Sequence, residues 1–283
     1  MTPPGGLPWA DLPDAARTAV ADLLGGPVAA VDTGIGARAG TSAILTVAGR
    51  PPVFVKGQPA DAPPYGGQDP DGWWGPSWGP VDELDQEQAI NRWLPRSAPR
   101  VLWRVRAAGW DLLGFEAAQG RHASYAPDST DLPLAVAALG ELYGCVAPRV
   151  RLPSAWDCWG YWCDPSDESR LAGRQLMHGD PAAFNVLISD GKARLVDWSW
   201  PSLGPTWADG VLWGMRLVSG GGHSPAEAAA WVLKVPGFEA ADRRGVFALA
   251  QAEARRWAEE AEQGTWDAES IAAAAQEWAD YWK

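Results

Sequence analysis

Cysteine, lysine, asparagine and long apolar runs are all scarce in this 283-residue chain, and each scarcity removes a class of explanation. Three cysteines, Cys145, Cys158 and Cys163, cannot build a disulfide framework. Cys158 and Cys163 also lack the second pair or nearby histidine of a zinc site, so reduced, partly buried thiols are expected. No stretch stays apolar for the roughly 20 residues that a spanning helix needs. The most apolar helical run, Leu132 to Val146, is interrupted by Glu141. The amino terminus shows no basic segment followed by an apolar one, so a cytoplasmic protein with no membrane partner is expected. Basic residues are few as well, 23 Lys and Arg against 35 Asp and Glu, for a net charge of −12. That balance argues against nucleic acid, which is gripped through basic patches, and is compatible with a cationic small molecule.

What is abundant is tryptophan, 19 residues in all. Many fall at helical spacing and read as packing between helices. Two clusters, Trp73-Trp74-Trp78 and Trp156-Trp159-Trp162, lie instead in irregular stretches. Against this background one segment carries chemistry: His178-Gly179-Asp180-Pro181-Ala182-Ala183-Phe184-Asn185, followed by Arg194-Leu195-Val196-Asp197-Trp198. It reads as a polar loop, then two short strands joined by a turn at Ser189 to Lys192. Asn185 is one of only two asparagines in the chain. An aspartate on the loop, an asparagine after it and an aspartate past the second strand suit oxygen ligation of Mg²⁺ beside a base that orients a hydroxyl.

The pattern H-G-D-x-x-x-x-N with a later strand ending in Asp resembles the aminoglycoside phosphotransferase and choline kinase group, small-molecule relatives of the protein kinases. The resemblance implies an α+β, two-lobed protein-kinase-like fold. Its small N-lobe would hold a five-stranded antiparallel sheet plus a helix, and its larger C-lobe would be mostly helical. It also implies roles: Asp180 as catalytic base, and Asn185 and Asp197 as ligands for Mg²⁺ on the phosphates of ATP or GTP. Asp209, in Gly204-Pro205-Thr206-Trp207-Ala208-Asp209, matches an aspartate that braces the catalytic loop; Gly210 after it departs from the helix former that is usual there. Asp197-Trp198-Ser199 stands where protein kinases carry D-F-G.

Read in order, the chain supplies the rest of such a site. A helix from Asp11 to Leu24, with Asp11 as cap, is followed by β-like runs at 28–33, 42–48 and 52–56. Between the first two lies Gly34-Ile35-Gly36-Ala37-Arg38-Ala39-Gly40, one residue longer than the usual kinase loop and a weak signal alone. Thr41 and Ser42 after it are candidates for hydroxyl and N–H contacts to phosphates. Lys56 ends the third run, where kinase-like folds place the phosphate lysine. Its use is notable in a chain with four Lys against nineteen Arg. Residues 57–80, rich in Pro, Gly and Trp, read as an insertion or a lid. A helix over 81–94, capped by Asp82, carries Glu83 and Glu87 on one face, and the resemblance pairs Glu87 with Lys56.

Two more strands, 100–107 and 110–116, complete the sheet, and Phe115 to Gly120 fits the hinge between lobes, where the resemblance implies backbone contacts to the purine edge from Glu116 and Ala118. The lobe boundary is placed there: 1–118 binds nucleotide, and 119–283 carries the catalytic loop and acceptor site. A helix over 132–146 capped by Asp131, a capping box at Ser224-Pro225-Ala226-Glu227, and acidic helices over 243–263 and 267–282 follow. The expected activity is transfer of a γ-phosphoryl to a hydroxyl of a small molecule, most simply an aminoglycoside-like, antibiotic or other cationic acceptor, by a monomer or homodimer. The alternatives are a choline, amino-acid or sugar kinase of the same fold, and a nucleotide-binding module that has lost turnover.

Overall fold

Apolar residues four apart, then alternating, then four apart again, set the order of elements in the first third of the chain. The computed structural model describes residues 6–33, 40–64, 79–145, 147–265 and 267–283. The glycine-loop residues 34–39 and the cluster Trp73-Trp74-Trp78 lie outside the described residues. The chain divides into two units, one of residues up to 92 with 99–118, the other of 93–98 with 119–283.

In the first unit, α1 (Asp14–Leu24) buries Ala16, Val20 and Leu24, one stripe at i, i+4, i+8. It stops at Gly25, whose positive φ closes the last turn onto Ala21 and Asp22. Its start differs from the expectation. Trp9–Asp11 closes as a separate 3₁₀ turn with Trp9 buried, so Pro13, not Asp11, is the cap. Five strands follow with one helix among them: β1 (Ala29–Asp32), β2 (Thr41–Thr46), β3 (Val53–Pro59), α2 (Pro80–Ile90), β4 (Val101–Ala107) and β5 (Trp110–Glu116). They form one sheet in the order β1-β2-β3-β5-β4, antiparallel at every pairing.

Strand periodicity divides this sheet into two faces. Ala43, Leu45, Val53, Val55 and Leu112 pack with Trp9, Leu12 and the buried stripe of α1. The alternate residues Phe54, Leu113, Phe115 and Val101 pack with Leu84 of α2. α2 begins at Gly79 with Pro80 in its first turn, and Asp82 accepts the Gly79 N–H at 2.7 Å from inside that turn. Asp82 is therefore not the cap residue itself.

A charged clamp fixes α2 to the sheet. Arg104 donates Nε and Nη2 to both oxygens of Asp111 at 2.7 Å, and its Nη1 reaches Asp85 and Gln88 of α2. Arg106 adds a bond to Asp111 at 2.8 Å. Past α2, the side chain of Asn91 accepts from Val101 N and donates to Pro99 O, both at 2.9 Å, tying the helix end to β4.

The second unit is mainly helical: β6 (Arg121–His122), α3 (Leu132–Tyr143), α4 (Ala155–Trp159), β7 (Gln175–Met177), β8 (Val186–Ser189), β9 (Lys192–Leu195), β10 (Ser202–Gly204), α5 (Ala208–Ser219), α6 (Pro225–Val232), α7 (Arg243–Glu262) and α8 (Ala268–Trp282). β8 and β9 form a hairpin that β6 extends, and β7 pairs with β10. Asp190 and Gly191 both take positive φ at the hairpin tip, the two-residue turn that Asp-Gly favours.

α5 is nearly all buried, and Gly210 lets it do so: a Cβ there would lie 2.9 Å from the Phe238 ring. Close packing is thus the reason for the unusual residue after Asp209. Asp131 does not cap α3 with its side chain; Arg121 and Ser124 N hold that carboxylate instead. The Ser224 capping box forms as expected, with Glu227 accepting from Ser224 N and Ser224 Oγ from Glu227 N.

Burial pushes the carboxyl of Asp111 up, but the hydrogen bonds and charges of Arg104 and Arg106 outweigh it and hold its pKa below the ordinary 3.8. Arg104→Met should destabilise the protein by about 3 kcal/mol at pH 7, because it leaves a buried carboxylate short of its main partner. A lowered folded pKa contributes stability above the unfolded value and loses it as pH falls through the folded one. The gap between wild type and variant, read by urea unfolding, is therefore expected to be full at pH 6–7 and to shrink below about pH 4.

Candidate active site

The loop at 178–180 is held before any ligand reaches it. Gly179 has φ +84°, and a Cβ there would stand 2.7 Å from the carbonyl oxygen of Trp200, so the turn accepts only glycine without strain. That turn exposes two adjacent N–H groups, and the carboxylate of Asp209 in the first turn of α5 accepts both: Oδ2 from His178 at 2.8 Å and Oδ1 from Gly179 at 3.0 Å. Burial raises the pKa of Asp209, while these two N–H bonds pull it back. Asp209 is thus the brace expected of it.

His178 is buried and serves the same loop. Its Nε2 lies 2.9 Å from the Val196 carbonyl and its Nδ1 lies 3.3 Å from the Asp180 N–H. Nε2 must then carry the proton and Nδ1 accept. The ring meets the buried indole of Trp198 edge-on at 4.6 Å. The aromatic residue after Asp197 is therefore core packing. Tyr125 closes the other side by donating its hydroxyl to Pro181 O at 2.9 Å.

The hairpin brings the three motif residues together. Val186 pairs with Leu195, so the residue before β8 and those after β9 are neighbours, and Val196 N donates to Asn185 O at 2.9 Å. The Asn185 amide donates Nδ2 to the Asp180 carbonyl at 3.0 Å and to Asp180 Oδ2 at 3.2 Å. With Nδ2 committed there, its carbonyl oxygen is the atom left as a ligand. Asp197 has φ +62°, a left-handed backbone that non-glycine residues adopt at a cost of roughly 1–2 kcal/mol. Ser199 donates to its Oδ1.

Two hard oxygen donors, an amide carbonyl and a carboxylate at the mouth of one hairpin, fit Mg²⁺. That ion is usually held by one or two protein oxygens plus phosphates and waters. They do not make a closed protein cage, and among the described residues no group of three or more His, Cys, Asp or Glu side chains gathers as one.

One residue the sequence did not single out touches this loop. Arg216 of α5 donates Nη2 to Asp180 Oδ1 at 2.8 Å. The signal was present but unread: Arg216 follows Asp209 by two helical turns, so both lie on one face.

In the first unit, Lys56 and Glu87 form a buried ion pair across the α2 face of the sheet. Ser42 is the cross-strand partner of Lys56, and its hydroxyl lies 2.8 Å from that of Thr33. Thr41 is not brought to this face. It pairs with Gly57, is fully buried, and points to the α1 side, where its hydroxyl has no partner among the described residues. Its side chain cannot reach a ligand beside Lys56, a consequence of strand alternation. Glu116 ends β5 opposite Val53; its N–H goes to Arg100 O and its carboxylate accepts from Arg100 N. Ala118 follows, half-buried and past the end of the ladder.

The second tryptophan cluster and the acidic helix α7 turn out to satisfy each other. Trp159 donates its indole N–H to Glu253 at 2.6 Å, and Trp162 to Glu259 at 2.8 Å. Glu253 also accepts from Arg256 and from Trp257.

No protein-family model matches the sequence, and no curated protein does. Solved structures do. A thermostable mutant of aminoglycoside phosphotransferase APH(4)-Ia superposes with a TM-score of 0.57 at 14% identity, over 94% of this chain and 97% of that one. Choline kinase LicA from Streptococcus pneumoniae gives a TM-score of 0.59 at 12% identity, over 94% and 98%. The amicoumacin kinase hAmiN, solved in complex with AMP-PNP, Ca²⁺ and Ami, gives 0.54 at 11%, over 90% and 88%. The chain has the protein-kinase-like fold of these small-molecule kinases, the α+β architecture expected from the sequence.

Gly179→Ala is expected to destabilise the protein by roughly 2–3 kcal/mol, from positive φ plus the clash with Trp200 O. Gly191→Ala, also at positive φ but with open space around its Cβ, should cost only about 1 kcal/mol. Equal losses for the two in urea titrations would refute the steric account.

Proposed function

We propose that the protein is a phosphotransferase that moves the γ-phosphoryl of ATP or GTP, with Mg²⁺, onto a hydroxyl of a small molecule. The observation that carries this reading is the Asn185 amide. It grips Asp180 with its nitrogen, which leaves its oxygen as a hard donor, and the Asn185 backbone carbonyl accepts from Val196, the residue before Asp197. A base and a metal-ligand pair are thus built as one unit, which phosphoryl transfer requires and a plain capped turn does not.

In this reading Asn185 and Asp197 hold the ion, which would spread charge developing on the transferred group. Lys56, kept in place by Glu87, lends a compact cation to the nucleotide phosphates. Ser42 lies beside Lys56 and supports contacts to the same phosphates. Thr41 is proposed for backbone contact alone, because its side chain faces the other way. Glu116 and Ala118 would offer backbone groups to the purine. Asp180 accepts a hydrogen bond from the acceptor hydroxyl, orients it in line with the phosphoryl group and takes its proton as the new O–P bond forms and the bond from the γ-phosphorus to the departing ADP or GDP breaks.

The net charge of −12 supports a cationic acceptor, and an aminoglycoside-like antibiotic is the one proposed. Glu253 is compensated by Arg256 and is a poor partner for such a molecule. Glu259 is held by a neutral indole, which supplies a donor and no opposing charge.

Asp180→Ala should lower phosphoryl transfer by at least about 10³-fold while Mg²⁺-dependent nucleotide binding, followed as a thermal shift, survives. Transfer is scored by mass spectrometry as a gain of one phosphate across aminoglycoside, choline, amino-acid and sugar acceptors. Near-normal turnover in that variant would sink the assignment of the base. A wild-type protein that shows no Mg²⁺-dependent nucleotide shift would sink the phosphotransferase reading altogether.

A further inference from the structure

Asp180 is a loop side chain on which the whole proposed reaction turns, yet one of its two oxygens is bound by a residue outside the motif. Oδ2 receives the Asn185 amide at 3.2 Å and Oδ1 receives Arg216 at 2.8 Å. A carboxylate gripped at both oxygens cannot rotate about χ2, a torsion that is otherwise broad and nearly two-fold. Each oxygen still has a lone pair for a hydroxyl, now in a fixed direction.

Arg216 is itself held. Its guanidinium carbon lies 5.1 Å from the centre of the Trp257 ring, whose indole N–H donates to Glu253 at 3.1 Å. Arg256 lies against the same ring at 4.6 Å and pairs with both oxygens of Glu253 through Nε and Nη2. Glu253 is buried and is also bonded by Trp159. A strut therefore runs from the core of α7, through Trp257 and Arg216, to the carboxylate of Asp180.

α5 consequently acts on the loop twice from one face. Asp209 sets the backbone of His178 and Gly179, and Arg216, two turns on, sets the side chain of Asp180. The two jobs are separable, because the loop backbone is already held by Asp209, by Val196 through His178, by Tyr125 and by Asn185.

From this arrangement, and resting on the phosphotransferase reading above, we infer that Arg216 is the positioning residue of Asp180. It fixes the carboxylate for in-line attack and offsets its repulsion of the incoming phosphoryl group. Orientation matters here because a reactive group displaced by about 1 Å forfeits about 100-fold in rate. The cation matters because a phosphoryl group and a carboxylate of like charge must come within a few ångströms of each other. Trp257 sets where the guanidinium stands, so it belongs to the same device. An ion pair kept only for stability would have no such selectivity between binding and turnover.

The test uses the full chain with MgATP as donor and water as the acceptor, read as released phosphate, alongside binding of Mg·AMP-PNP by calorimetry. Arg216→Ala is expected to lower kcat by roughly 30–100-fold, with KM for MgATP and the affinity for Mg·AMP-PNP within about twofold of wild type. Guanidinium ion added at millimolar concentration should restore part of that turnover in Arg216→Ala. It should restore none in Arg216→Met, whose side chain fills the space. Trp257→Leu should fall between wild type and Arg216→Ala.

A kcat within threefold of wild type in Arg216→Ala, nucleotide affinity lost in parallel with kcat, or no difference between the alanine and methionine variants in guanidinium would each overturn the inference. All three outcomes leave the phosphotransferase reading standing if the wild type turns over. A wild type that neither binds Mg·AMP-PNP nor releases phosphate removes that reading, and this inference with it.

Discussion

A carboxylate withdrawn from water needs several hydrogen bonds to replace those it gave up, and Asp209 obtains two of them from adjacent N–H groups of one turn. Only a chain that reverses sharply at Gly179 can present His178 and Gly179 in that way, which is why a left-handed glycine and a buried aspartate 30 residues apart belong to one feature. The rest of the loop follows from this anchor. With the backbone of 178–179 fixed, the His178 ring reaches Val196 and receives the Asp180 N–H, which joins the loop to the segment that leads from β9 to Asp197. The hairpin β8–β9 then needs only its two-residue turn to set Asn185 beside Val196. Each contact is ordinary. Together they leave Asp180, Asn185 and Asp197 little freedom relative to one another, the preorganisation that charge stabilisation during phosphoryl transfer exploits.

The first unit solves a different problem with the period of a strand. Alternate residues of β2, β3 and β5 face α1 and α2, so a shift of one position decides whether a side chain meets the apolar stripe of α1 or the acidic face of α2. Lys56 falls on the α2 side and finds Glu87; Thr41, one residue from Ser42, falls on the other side and is sealed in the core. α2 could still slide along the sheet if only Leu84 and Glu87 held it. The bidentate grip of Arg104 on Asp111, extended to Asp85 and Gln88, prevents that, and it fixes Glu87 indirectly by fixing the helix it stands on.

Much of the fold and the core of the candidate site were legible because they rest on local signals. The H-G-D loop, the aspartate just past β9, the lysine in β3, the five strands and the Ser224 box all announce themselves through residues close in sequence, although β3 runs on past Lys56 to Pro59. Long-range partners do not. Asp131 has the position and chemistry of an N-cap, but Arg121 and the Ser124 N–H compete for its carboxylate and win. Arg104 and Asp111 are unremarkable strand residues until β4 and β5 are paired beside α2. Arg216 is the instructive omission: on paper it closes an apolar helix, and only the fold shows that the face it shares with Asp209 is the one against the loop.

The same competition explains the two oddities of composition, the excess of acids and of tryptophan. An acidic helix packed against a core must either keep its carboxylates in water or provide them with donors. A lysine or arginine partner would supply donors and cancel the charge. An indole N–H supplies a donor without cancelling it and brings a large apolar surface for packing. Trp159 and Trp162 do this for Glu253 and Glu259, and Trp257 does it for Glu253 while offering its ring to Arg216 and Arg256. Negative charge is thereby carried into the interior of the second unit, and at Glu253 it meets the guanidinium of Arg256. Trp159 and Trp162 let α7 stay acidic while burying one side, and Trp257 extends that buried order to the guanidinium that holds Asp180.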